Sequence, residues 1–160
     1  MISQFELKNL FRYEDGNLFW QEKIAYKINI GDKAGCINSR NYVTILINKK
    51  RYQAHRLIFM FHHGYCPEFI DHIDGMRTNN RIENLRPASQ SQNQWNSKVY
   101  KSNTSGVKGV YWHKSENVWV SAITVKSKKI TVGRFKNIED AKIAVEKARI
   151  KYHPNFGRQA

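Results

Sequence analysis

Cysteine and proline are scarce in this chain: 160 residues hold two cysteines and three prolines. Cys36 and Cys66 form no Cys-x-x-Cys pair, which excludes a disulfide-stapled scaffold and a cysteine zinc site. Any metal would be held by oxygen and nitrogen. No apolar run approaches the roughly 18 residues that a bilayer-spanning helix needs. The start, MISQFELKNLFRYEDG, places acids and a capping motif where a signal peptide would put a basic and then an apolar stretch. These absences point to a cytoplasmic protein with no membrane partner. Acidic side chains are also in deficit, 13 against 27 Lys and Arg, for a net charge of +14. Such an imbalance favours a polyanionic partner, nucleic acid ahead of a membrane surface.

What is present is globular: 41% of residues are hydrophobic and 25% charged. The basic excess is uneven, +5 over residues 1–98 and +9 over 99–160. No acid occurs between Asp32 and Glu68, between Glu83 and Glu116, or between Glu116 and Glu139, while Lys and Arg recur in all three gaps. Together the gaps suggest a long basic surface. Residues 92–105 are polar and nearly free of aliphatics, a helix end running into a linker. The expected division is therefore a first domain over 1–98 and a second over 99–160, joined by a short linker at about 97–105 with its boundary near Tyr100.

In the first domain, Ser3 and Glu6 form a capping box for a short helix with Phe5, Leu7, Leu10 and Phe11 as its apolar residues. Strands are expected over 16–20 and 34–37, and a hairpin of 42–47 and 51–54 about Asn48-Lys49-Lys50. Residues 54–63 carry Leu57, Ile58 and Phe61 at helical spacing and stop at Gly64. His62 and His63, at the end of that helix, read as structural. In the second domain, 109–113, 118–125 and 129–135 are three strand candidates. A helix capped by Asn137 follows, with Ala141, Ala144, Val145, Ala148 and Tyr152 on one face, ending at His153-Pro154.

The segment 69–96, FIDHIDGMRTNNRIENLRPASQSQNQWN, carries the chemistry. Asp71-His72 closes a short apolar run ahead of an Asp74-Gly75 turn. Residues 82–86 can form a second strand, and Pro87 and Ser89 lead into a helix bearing Asn93. A hairpin laid on a helix can bring Asp71 and Asn93 to one point. In this order and spacing, DHIDG, NN, ENLR and QN resemble the HNH endonucleases whose last motif residue is Asn, over residues 50–97. The resemblance implies that Asp71 and Asn93 coordinate one divalent cation and that His72 is the general base. It makes Asn84 the middle motif residue, bracing the loop and orienting His72. It matches an upstream His-Arg-Leu element at His55-Arg56-Leu57, where His55 could equally cap or pack as touch DNA.

The chemistry is consistent. A neutral imidazole can accept a proton from water near pH 7. A carboxylate with an amide oxygen suits a hard cation, Mg²⁺ first and Mn²⁺ as the alternative, with no zinc. Such an ion can neutralise charge developing on a phosphodiester.

Residues 103–160 resemble the Apetala2 or ethylene-response-factor type of DNA-binding domain. The resemblance rests on Ser105-Gly106-Val107-Lys108-Gly109-Val110-Tyr111, Trp119-x-x-x-Ile123, Gly133-x-Phe135 and Glu139-Asp140-Ala141. It implies a three-stranded sheet that enters the major groove, backed by the helix. Alternation puts Trp119, Ser121 and Ile123 toward the helix and Val118, Val120, Ala122 and Thr124 on the open face. Valines cannot hydrogen-bond a base edge. Contacts with DNA are then expected from Lys108, Tyr111, His113, Lys114, Lys126, Lys129 and Thr131, the lysines mostly on phosphates.

The expected fold is thus α+β, a ββα-metal nuclease domain followed by a three-stranded antiparallel sheet on one helix. The expected function is metal-dependent, site-preferring cleavage of double-stranded DNA by a homing-type or phage-encoded enzyme, in the second case working in the host cytoplasm. No obligatory protein partner is evident, and the enzyme would act as monomer or homodimer. The rival is a catalytically silent DNA-binding regulator on an HNH scaffold. An RNA-binding role would need exposed stacking aromatics on a sheet.

Overall fold

The computed structural model describes residues 2–97, 99, 102–125, 128–154 and 156. Packing divides the chain into two units, Met1–Ser89 and Gln90–Ala160. The expected boundary at Tyr100, the contact residue Lys126 and the last residues 157–160 lie outside the described residues.

In the first unit, helix α1 (Gln4–Leu10) opens on the expected capping box. The Ser3 hydroxyl accepts from the Glu6 N–H, and the Glu6 carboxylate accepts from the Ser3 N–H at 2.7 Å. Phe11 does not extend this helix. It begins strand β1 (Phe11–Glu14), which pairs antiparallel with β2 (Asn17–Trp20) around Asp15-Gly16, both at positive φ. Strands β3 (Cys36–Ile37), β4 (Val43–Ile47) and β5 (Lys50–Gln53) form an antiparallel sheet in the order β3-β4-β5. The β4–β5 turn has two residues, not three: Asn48 and Lys49 sit at φ 49° and 64°, as a type I′ turn requires. Helix α2 (Ala54–His63) follows and ends at Gly64, whose φ of 75° lets its N–H reach the Met60 carbonyl. Leu57, Ile58 and Phe59 of α2 join Leu7, Phe11, Leu18, Trp20, Ile45 and Ile47 in one core.

Strands β6 (Phe69–His72) and β7 (Leu85–Ala88) close the first unit as an antiparallel pair, His72 opposite Leu85 and Asp71 opposite Arg86. The second strand begins three residues later than the expected 82–86, because Ile82–Asn84 form one 3₁₀ turn. Pro87 is tolerated in β7 because a two-stranded sheet leaves an outer edge that needs no N–H.

In the second unit, α3 (Gln90–Trp95) precedes the sheet β8 (Val110–His113), β9 (Val118–Val125) and β10 (Lys128–Phe135), with β9 central. Helix α4 (Ile138–Tyr152) packs on it, capped by the Asn137 carboxamide. Val107, Val110, Ile123, Ala141, Val145 and Ala148 make a separate core, with Trp119 and Phe135 against it. Ser121 faces the helix as expected and donates to the Ala141 carbonyl at 2.6 Å.

The expectation of an open face at Val120 and Ala122 fails, since both are buried. They lie on the central strand, where Val120 is flanked across the ladder by Tyr111 and Arg134, and Ala122 pairs with Thr131. Helix α3, read from the sequence as part of the first domain, belongs to the second unit. Trp95 stacks on His153 at 3.9 Å, and the Lys108 ammonium donates to the carbonyls of Gln94, Trp95 and Ser97 at its end.

Candidate active site

The site is built at the end of the β6–β7 pair from which the connecting loop leaves, His72 opposite Leu85. Asp71 and His72 are the last two residues of β6 and both are buried. The chain then turns at Gly75, whose φ of 68° lets its N–H reach the His72 carbonyl at 2.8 Å. Asp74 and Asn84 tie the following loop together. The Asn84 Oδ1 accepts from the Asp74 N–H at 3.0 Å, and its Nδ2 donates to Asp74 Oδ1 and to the Asn79 carbonyl. Asp74 also accepts from the Met76 N–H and from Asn79 Nδ2. Burial pushes the Asp74 carboxyl up, but these hydrogen bonds outweigh it and hold it below the usual range. Asn84 therefore braces the loop. Asn80 meets the His72 ring: its Oδ1 accepts from Nε2 at 3.0 Å.

Beside this loop, Arg86 reaches across the strand pair to Asp71. Its Nε and Nη2 both donate to Oδ2, at 2.8 and 2.7 Å. His55, at the start of α2, is buried with its ring edge-on to His72 at 5.0 Å and beside Tyr42 at 5.4 Å. Burial, then the neighbouring His72 and Arg56, pushes its pKa down to about 3, so it is a neutral packing partner of the His72 ring. The Arg77 guanidinium lies over the Tyr42 ring at 4.8 Å. Arg56 donates to the carbonyls of Pro67 and Glu68, fixing the segment that enters β6. His62 lies edge-on to Tyr13, and His63 against Phe59.

Asn93 lies on α3, in the second unit. Among the described residues no three His, Cys, Asp or Glu side chains group together as a metal cage. In the first unit Asp71 supplies one buried carboxylate, a hard oxygen donor of the kind that suits a cation which keeps waters and takes phosphate oxygens.

The profile of the family described as HNH endonuclease matches residues 52–95. The chain is also 37% identical over 90 residues to Protein 3.8 of Escherichia phage T7, covering 56% of this chain and 74% of that protein. The chain belongs to the HNH endonuclease family. No solved structure matches it.

Membership of the HNH endonuclease family implies a DNA substrate, and the family typically uses a divalent metal ion. Among the described residues no helix is long and apolar enough to cross a membrane. Sequence reasoning passed over Asn80, Arg86, Tyr42 and Arg77. For Arg86 a signal existed: a cross-strand partner of Asp71 is fixed once both strands and their register are known.

In the second unit of this HNH family member, Tyr111, His113, Lys129 and Thr131 share one sheet face by register. Lys129 lies over the Tyr111 ring at 4.5 Å, and Lys114 is exposed in the adjoining turn. Lys108 differs from them. Its ammonium is committed to the end of α3 and also donates to Ser97 Oγ at 2.8 Å. Burial and the nearby Arg149 lower its pKa to about 8. A side chain so engaged caps the end of α3. Arg134, on the same face as Tyr111, is held by Glu116 at 2.6 Å.

Proposed function

We propose that the protein is a metal-dependent, site-preferring DNA endonuclease, phage-encoded or homing in type. One observation carries the reading: Asp71 and His72 are buried side by side at the end of β6, on a loop closed by the Asp74–Asn84 network, in the motif order of the family. His72 accepts a proton from the attacking water as the water oxygen bonds to phosphorus and the bond to the 3′ oxygen breaks. The leaving 3′ oxygen takes a proton from solvent, so the products are a 5′ phosphate and a 3′ hydroxyl. Asn84 keeps the loop in shape. Asp71 and Asn93 would hold one divalent cation, Mg²⁺ or, as the alternative, Mn²⁺. When bound, that ion supplies charge neutralisation at the phosphate and at the leaving oxygen.

The second unit, similar to an Apetala2 domain, supplies affinity and site preference. Tyr111, His113, Lys114, Lys129 and Thr131 are its contact residues, with Lys126 beside them in sequence. The test is nicking of supercoiled plasmid with Mg²⁺ against the same reaction in chelator. Metal-dependent nicks support the nuclease. Binding without nicks under either condition supports the silent regulator.

A further inference from the structure

The motif match includes the pair Asn79-Asn80 and assigns Asn80 no role. Asn80 is 2% exposed, and its Oδ1 faces Nε2 of His72, which is also buried. A carboxamide oxygen can only accept, so the contact requires the ring proton on Nε2. A long loop would not hold a side chain to that task unaided.

Support for the loop comes from the β1–β2 hairpin. Gly16, at φ 79°, is at its tip, and a Cβ there would stand 2.6 Å from the Arg81 nitrogen and 2.9 Å from the carbonyl carbon of Asn80. The hairpin tip thus lies directly on the peptide that follows Asn80. Beside it, the Tyr13 hydroxyl accepts from the Ile82 N–H at 3.1 Å, and Asp15 lies 3.6 Å from Arg81. On the other side, Asn79 is tied to Asp74 and Asn84. Asn80 is therefore pinned between two networks, with its side chain aimed at the imidazole.

We propose that Asn80 is the positioning residue of His72, fixing the ring's orientation with its proton on Nε2, and that the β1–β2 hairpin is the support that keeps Asn80 in place. The catalytic consequence rests on the nuclease reading; the placement of the ring proton does not.

The first experiment is nitrogen NMR of the histidine rings in full-length, metal-free protein. Wild type should show His72 protonated at Nε2, with that proton protected from exchange. Asn80→Ala should lose the protection, and Asn80→Asp, which keeps an acceptor oxygen at the same reach, should restore it. In plasmid nicking, Asn80→Ala should lower turnover by about tenfold to a hundredfold, the cost of misplacing a reacting group. The KM for DNA and the cation titration should change by less than about twofold, because the residue acts through His72 and holds neither ligand. Asn80→Asp should recover most of the turnover, and Gly16→Ala should reproduce the Asn80→Ala pattern more weakly.

A wild-type proton on Nδ1 overturns the proposal and needs no variant to be seen. Unchanged exchange in folded Asn80→Ala, or equal loss of turnover in the Ala and Asp variants, also overturns it. A wild-type protein that never nicks DNA refutes the nuclease reading and leaves the ring-proton result standing, so the two fail separately.

Discussion

His55 should make the stability of the first unit fall in mild acid. Its ring is 5% exposed, against His72, Tyr42 and the base of Arg56, and its folded pKa is about 3. In the unfolded chain it titrates near 6.5. Between these values the unfolded chain binds a proton that the folded protein excludes, so the stabilising effect is complete above pH 6.5 and is lost as pH falls toward 3. The slope is about 1.4 kcal/mol per pH unit, and about 2 kcal/mol should be gone by pH 5. Carboxylates titrate in the same range, so the comparison is with His55→Gln, which has no ring to protonate. Guanidinium unfolding of both proteins at neutral pH and near pH 5 gives the difference directly. The stability gap between wild type and variant should narrow by about 2 kcal/mol on acidification. A gap that stays constant refutes the claim that His55 is held neutral.

Asp71→Ala and Asn93→Ala should each raise the cation concentration needed for half-maximal nicking, and an unshifted titration removes that residue from the ligand set. DNA affinity should fall steeply with salt, with a log-log slope near −5 if about six phosphates are neutralised. Lys129→Met should flatten that slope by about one, whereas Lys108→Met should leave it alone and lower the melting temperature, as loss of a helix cap does. A fragment ending at residue 97 retains Asp71, His72, Asn84 and Asn93 but lacks Lys108 and His153, which fasten α3. It should therefore need more cation than the full chain, and an equal requirement would show that α3 is positioned without them.

The local signals in the sequence were readable where one short segment decides the structure. Ser3 and Glu6 specify the start of α1 by themselves, and Gly64 and Asn137 do the same for the ends they cap. The Asp15-Gly16 hairpin was equally local, yet apolar periodicity through Phe11 concealed it, since a buried Phe suits a helix or a strand. What stayed hidden depends on packing between distant segments. Lys108 looks like any basic surface residue until the end of α3 lies beneath it. Arg86 is a motif-flanking cation until register places it opposite Asp71. Val120 and Ala122 alternate correctly, but alternation says nothing about what neighbouring strands lay over a face. The motif order made Asp71, His72 and Asn84 legible as candidates, while the contact of Asn80 with the His72 ring depends on how the loop folds back over it.

Whether His72 activates water in a metal-dependent cleavage of DNA is decided by comparing wild type and His72→Ala on supercoiled plasmid at saturating Mg²⁺, with DNA binding measured in parallel. Wild type should give nicks that vanish in chelator, and the variant should bind DNA as tightly but leave the plasmid supercoiled. Nicking by folded His72→Ala at the wild-type rate would contradict that role for His72.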